Sequence, residues 1–177
     1  MEPVNLETRV ELISQEFPKF RFMSKDKSLL MKMIHIFLQL ITFGRSKFMD
    51  NFVTTIGHTV YTPSSWHSWK DDTKSDILAH ECIHMRQRKK YGPVLFEALY
   101  IFIPIPLFYA YYRAKFEMEA YEVSIKLNAA RNGLEAVKSP EYKKYMVSHF
   151  TGSNYGYMMM NKNRVESWFN SVISSIE

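Results

Sequence analysis

The chain has 177 residues with a formal net charge of +5, 46% hydrophobic, 23% charged and 15% aromatic content. That balance fits one compact domain spanning 1–177 and excludes a disordered, collagen-like or low-complexity polymer. A single cysteine, Cys82, excludes an intrachain disulfide and a multi-cysteine zinc ribbon and suits a reducing compartment; with no basic-then-apolar secretory segment in MEPVNLETRV, the expected location is cytoplasmic.

Leu6, Val10, Ile13 and Phe17 recur at three- and four-residue spacing, which predicts a short amphipathic helix ended by Pro18. A second helix is expected from about Ser28 to Phe43, where Leu29, Leu30, Met33, Ile34, Phe37, Leu40 and Ile41 form a wide apolar face and Gly44 provides the stop. FVTTIGHTVYTP, residues 52–63, is β-branched and aromatic with Gly57-His58 at its centre, the pattern of a β-hairpin. After a polar loop with Trp66, His67 and Trp69, Thr73 and Asp76 form a capping signal that predicts a helix starting near residue 74 and stopping at Gly92-Pro93. Its terminal Arg86, Arg88, Lys89 and Lys90 complement the helix dipole.

Val94 to Tyr112 is an aromatic-rich apolar run approaching the length of a membrane span. Glu97 and the pair Pro104 and Pro106 argue against a continuous transmembrane helix and for a buried or interfacial segment. Helices are expected at Arg113–Arg131, ended by Asn132-Gly133, and at Pro140–Phe150 and Arg164–Ile176. The expected fold class is α+β: mainly helical, with a small antiparallel sheet or hairpin preceding the helix that starts near residue 74, which carries His80-Glu81-Cys82-Ile83-His84.

That segment is an HExxH motif. Four residues is about one helical turn, so both imidazoles project from one face and can share a zinc ion, while Glu81 reaches the water in the metal's open position. Zinc lowers the pKa of that water to about 7, and a neighbouring carboxylate takes its proton during attack on a carbonyl. Cys82 points away from this face and reads as a small buried apolar residue. A catalytic zinc takes a third protein ligand. Gln87 stands where a metzincin motif has glycine, leaving a carboxylate on a later helix; Glu117 and Glu119 flank the apolar stripe of the 113–131 helix, and periodicity does not choose between them. Donors for an oxyanion are sought in HFTGSNYGYMMM, whose candidates are His149, Tyr155 and Tyr157, and at Arg113.

HECIHMRQ followed some thirty residues later by YRAKFEMEAY resembles the gluzincin group of zinc metallopeptidases, in a minimal form, over about residues 50–125. The resemblance implies that the third ligand is the glutamate three before alanine, Glu117 before Ala120, and that the Phe52–Tyr61 hairpin presents a sheet edge to which substrate adds as a strand. Tyr121 departs from the Asp or Asn common after that alanine.

The function expected is a zinc-dependent peptidase acting on peptide or protein substrates, with His80, His84 and Glu117 as metal ligands, Glu81 as general base, and Tyr155 and His149 as candidate oxyanion donors. The alternative is an inactive protein of the same fold in which zinc holds helices together, as part of a larger assembly or at a membrane surface contacted by the 94–112 run. Nucleic acid is not expected as a partner, because 23 basic residues are interspersed with 18 acids and the densest cluster sits at a helix terminus.

Overall fold

The structure is a computed structural model that describes residues 2–41, 43–102, 111–151, 158 and 160–177. Pro104 and Pro106 of the apolar run, and Tyr155 and Tyr157 of the polar loop, lie outside the described residues. The α+β expectation holds: among the described residues helices dominate, with one three-stranded sheet. Two compact units are distinguished, Val4–Met85 and Arg86–Glu177 (with Met1–Pro3).

In Val4–Met85, helix α1 (Leu6–Glu16) opens on Asn5, whose side chain accepts from the Thr8 amide at 2.8 Å, and its Ile13 and Phe17 are buried. Strand β1 (Arg21–Ser24) follows, then a short 3-10 turn (Lys25–Lys27), helix α2 (Leu29–Ile41) and a single turn α3 (Phe48–Asn51). The expected hairpin is present as β2 (Thr54–Ile56) and β3 (Thr59–Thr62), joined through Gly57 at φ +66°, a conformation glycine adopts without a Cβ penalty. The sheet is mixed rather than purely antiparallel, because β1 pairs in parallel with β3 in the order β1-β3-β2. β1 escapes the sequence reading because four residues between an aromatic turn and a lysine cluster carry too little alternation.

Helix α4 (Asp71–Tyr91) starts three residues before the expected position. Lys74 N–H bonds to the Lys70 carbonyl at 3.0 Å, so Thr73 lies inside the helix instead of capping it, and Asp71 and Asp72 supply negative charge to the first turn. Leu78, Cys82 and Met85 of α4 join Ile13, Phe17, Val60 and Trp66 in one buried cluster, so Cys82 is a core residue as expected.

In Arg86–Glu177, α4 ends at Tyr91, and Gly92 at φ +80° leads into Pro93, the first residue of α5 (Pro93–Glu97). One π-helical stretch, Ala98–Phe102, follows. The described part of the apolar run is thus divided: Phe96 is buried, whereas Val94 and Leu95 are exposed. Helix α6 (Tyr111–Asn132) ends at Gly133, and among the described residues it is followed by α7 (Leu134–Lys138), α8 (Pro140–Thr151) and α9 (Lys162–Ser174). Their core gathers Tyr121, Ile125 and Ala129 of α6, Val137 of α7, Met146, Val147 and Phe150 of α8 and Val165, Phe169 and Val172 of α9. No helix among the described residues is long and apolar enough to cross a membrane.

Candidate metal centre

The HExxH segment lies in the middle of α4, where the helical ladder fixes its geometry. His80 and His84 are both buried; their rings meet at 77° and their Nε2 atoms lie 3.2 Å apart. Two nitrogens at 2.0–2.1 Å from one zinc at the tetrahedral angle stand about 3.3 Å apart. The pair therefore has the spacing that a shared divalent ion requires. Glu81 is also buried, and the Lys25 ammonium attracts its carboxylate.

Lys25 escapes notice in the sequence, where it is one of 23 basic residues, yet its side chain is fully buried at 0% exposure. Its Nζ donates to the Phe48 carbonyl at 2.6 Å and sits 3.7 Å above the Phe48 ring. Burial pushes its pKa down from 10.5 to about 8, and the charges of Glu81 and Asp50 oppose that displacement.

Glu117 and Glu119, equivalent by periodicity, differ in three dimensions. Glu117 is 1% exposed and accepts a short hydrogen bond from the Tyr100 hydroxyl at Oε1. Glu119 is exposed, and its Oε2 accepts from Gln87 Nε2 at 2.9 Å. The same Gln87 nitrogen donates to the Phe116 carbonyl at 3.0 Å, so the end of α4 is fastened to α6 at the residue before Glu117. His80, His84 and Gln87 fall at i, i+4 and i+7 on one continuous helix, and therefore on one face. Among the described residues, His80, His84 and Glu117 form a buried group in which one ligand atom from each lies within 4.8 Å of the others.

Tyr100 and Gln87 are the residues that the sequence reading misses. Gln87 carries a legible signal, a polar side chain one turn beyond His84 on the same face. Tyr100 carries none, being one of 11 tyrosines and set in an apolar run. Arg113, a candidate oxyanion donor from the sequence, places its guanidinium 5.2 Å from the centre of the Tyr100 ring. Arg113, Tyr100 and Glu117 thus form a sequence of contacts in which the ring orients the hydroxyl toward the carboxylate.

Of the remaining candidates, His149 lies on α8, where its Nδ1–H donates to the Tyr145 carbonyl at 2.8 Å and its ring meets Tyr145 and Tyr121 edge-on. Tyr121 follows Glu117 by one turn of α6 and engages His149 and Phe150 through its ring. Within the sheet, β3 is paired on both sides, so the expected added strand has only the outer edge of β2 available from the hairpin.

No family model matches the chain, and no curated protein or solved structure matches it.

Proposed function

We propose that this protein is a zinc-dependent peptidase in which His80, His84 and Glu117 hold the metal and Glu81 is the general base. The 3.2 Å separation of the two imidazole Nε2 atoms on α4 carries this reading, because it matches two ligands of one tetrahedral ion. Two neutral imidazoles and one carboxylate are a hydrolytic donor set that leaves a coordination position for solvent. A divalent zinc bound there supplies a Lewis acid that polarises a peptide carbonyl and lowers the pKa of water toward about 7.

The chain's own groups do the rest. Glu117 contributes the negative charge that balances the ion, and the Tyr100 hydroxyl fixes which of its oxygens is engaged. Glu81, beside His80, accepts one proton from the attacking water as the carbon–oxygen bond forms. It returns that proton to the amide nitrogen as the carbon–nitrogen bond breaks, so that the amine leaves neutral and the carboxylate is restored. Lys25 holds a positive charge within the field of Glu81. Strand β2, Thr54–Ile56, is an edge strand of the sheet among the described residues and is the edge to which an extended substrate would add, and the single buried Cys82 suits a reducing, cytosolic setting.

The test is Glu81→Gln. Purified protein is expected to bind about one zinc per chain, and the variant to keep that zinc while losing cleavage of an unfolded protein substrate by a factor of 10² or more. Metal-loaded protein whose cleavage survives Glu81→Gln would refute the assignment; stoichiometric zinc without any cleavage in the parent chain would point to the metal as a structural fastener.

A further inference from the structure

Helix α2 has the wide apolar face that the sequence predicts, and most of that face is turned outward. Met31 is 0% exposed, while Leu29 at 74%, Met33 at 61%, Phe37 at 61% and Leu40 at 70% are open, with Leu30 and Ile36 beside them. At 100° per residue these six side chains occupy an arc of about 120° opposite Met31. The inward side carries the polar groups: Gln39 Nε2 donates to the Ser46 carbonyl at 2.9 Å and meets His35 at 3.5 Å. Phe43, 92% exposed, extends the stripe beyond the helix end. An apolar stripe of this size is covered by something in the working protein.

We propose that α2 docks the protein in the plane of a membrane carrying anionic lipid. Charge selects this occupant. The exposed ionic groups from residue 26 to 47 are Lys27, Lys32, Arg45 and Lys47 against Asp26 alone. At 300° around the helix, Lys32 borders the apolar arc, where its stem reaches along the bilayer boundary and its ammonium meets lipid phosphate. A twofold contact between two copies of this chain would set the same cations against each other, whereas an anionic leaflet neutralises them. Length excludes a crossing: 13 residues make a helix of about 20 Å, short of the ~30 Å hydrocarbon core, so the helix lies in the interface. No residue of this face is among the proposed metal ligands, and the proposal stands or falls independently of the catalytic reading.

The experiment is flotation of the full chain with phosphatidylcholine vesicles, with and without phosphatidylserine. Binding is expected only with phosphatidylserine and weakens with salt. Phe37→Asp with Leu40→Asp is expected to lower binding about tenfold or more, with an unchanged melting temperature because both side chains are exposed. Lys32→Ser with Arg45→Ser, which leaves the apolar stripe intact, is expected to lower binding to the anionic vesicles as well. Three results would overturn the proposal: no flotation of the parent chain, flotation of the double aspartate variant equal to the parent, or a dimer that the double aspartate variant dissolves while neither form binds vesicles.

Discussion

Replacing Glu117 by glutamine removes one negative charge while preserving side-chain volume and an oxygen able to accept from Tyr100. The consequence has opposite signs with and without metal. In metal-free protein the carboxylate is 1% exposed, and a buried charge bears a desolvation cost that the amide does not. Glu117→Gln is therefore expected to leave metal-free stability unchanged or to raise it by up to about 1–3 kcal/mol. With zinc present, the neutral amide is a much poorer ligand, and affinity is expected to fall on the order of 100-fold. At a fixed free zinc concentration well above the dissociation constants of both proteins, that loss removes about 2.7 kcal/mol of metal-derived stability. For a chain of this length it corresponds to roughly 5–11 °C in melting temperature. The assay is thermal unfolding in chelator and in buffered zinc, with zinc stoichiometry measured after dialysis. Glu119→Gln is the control, because that carboxylate bonds to Gln87. A Glu117→Gln protein that retains one zinc per chain and the full metal-dependent rise in melting temperature, while Glu119→Gln loses both, would refute the reasoning and exchange the two residues.

Two further outcomes follow from the groups around the centre. Tyr100→Phe removes the hydroxyl that donates to Glu117 and is expected to weaken zinc binding about tenfold, within the 10–100-fold range for outer partners of metal ligands; competition with a chromophoric chelator measures it, and unchanged affinity would show that the hydrogen bond does not support the site. Lys25 is held near pKa 8 in the folded chain against an ordinary 10.5, so between those values the unfolded chain binds more protons and stability rises with pH; below about 8 the group is protonated in both states and the burial penalty is present in full. The slope is at most about 1.4 kcal/mol per pH unit. Urea unfolding at pH 7.5 and 9.5 should show this rise in the parent and not in Lys25→Met, and equal pH responses in the two proteins would contradict the depressed value.

Much of this protein is written locally. The α1 period, the Gly57 turn, the Gly92-Pro93 and Gly133 stops and the one-turn separation of His80 and His84 depend on backbone preferences within a few residues, and the sequence alone determined them. Strand β1 was hidden because parallel pairing with β3 joins residues 38 positions apart and leaves no local alternation. The choice between Glu117 and Glu119 belonged to the tertiary structure, since both border the same stripe of α6 and only the Gln87 and Tyr100 hydrogen bonds tell them apart. The direction of α2 did as well. An apolar period states that one face avoids water, and only packing decides whether protein or another apolar phase covers it. Lys25 shows the same limit most sharply, because nothing in its neighbours along the chain reports that its ammonium is buried over an aromatic ring within the field of Glu81.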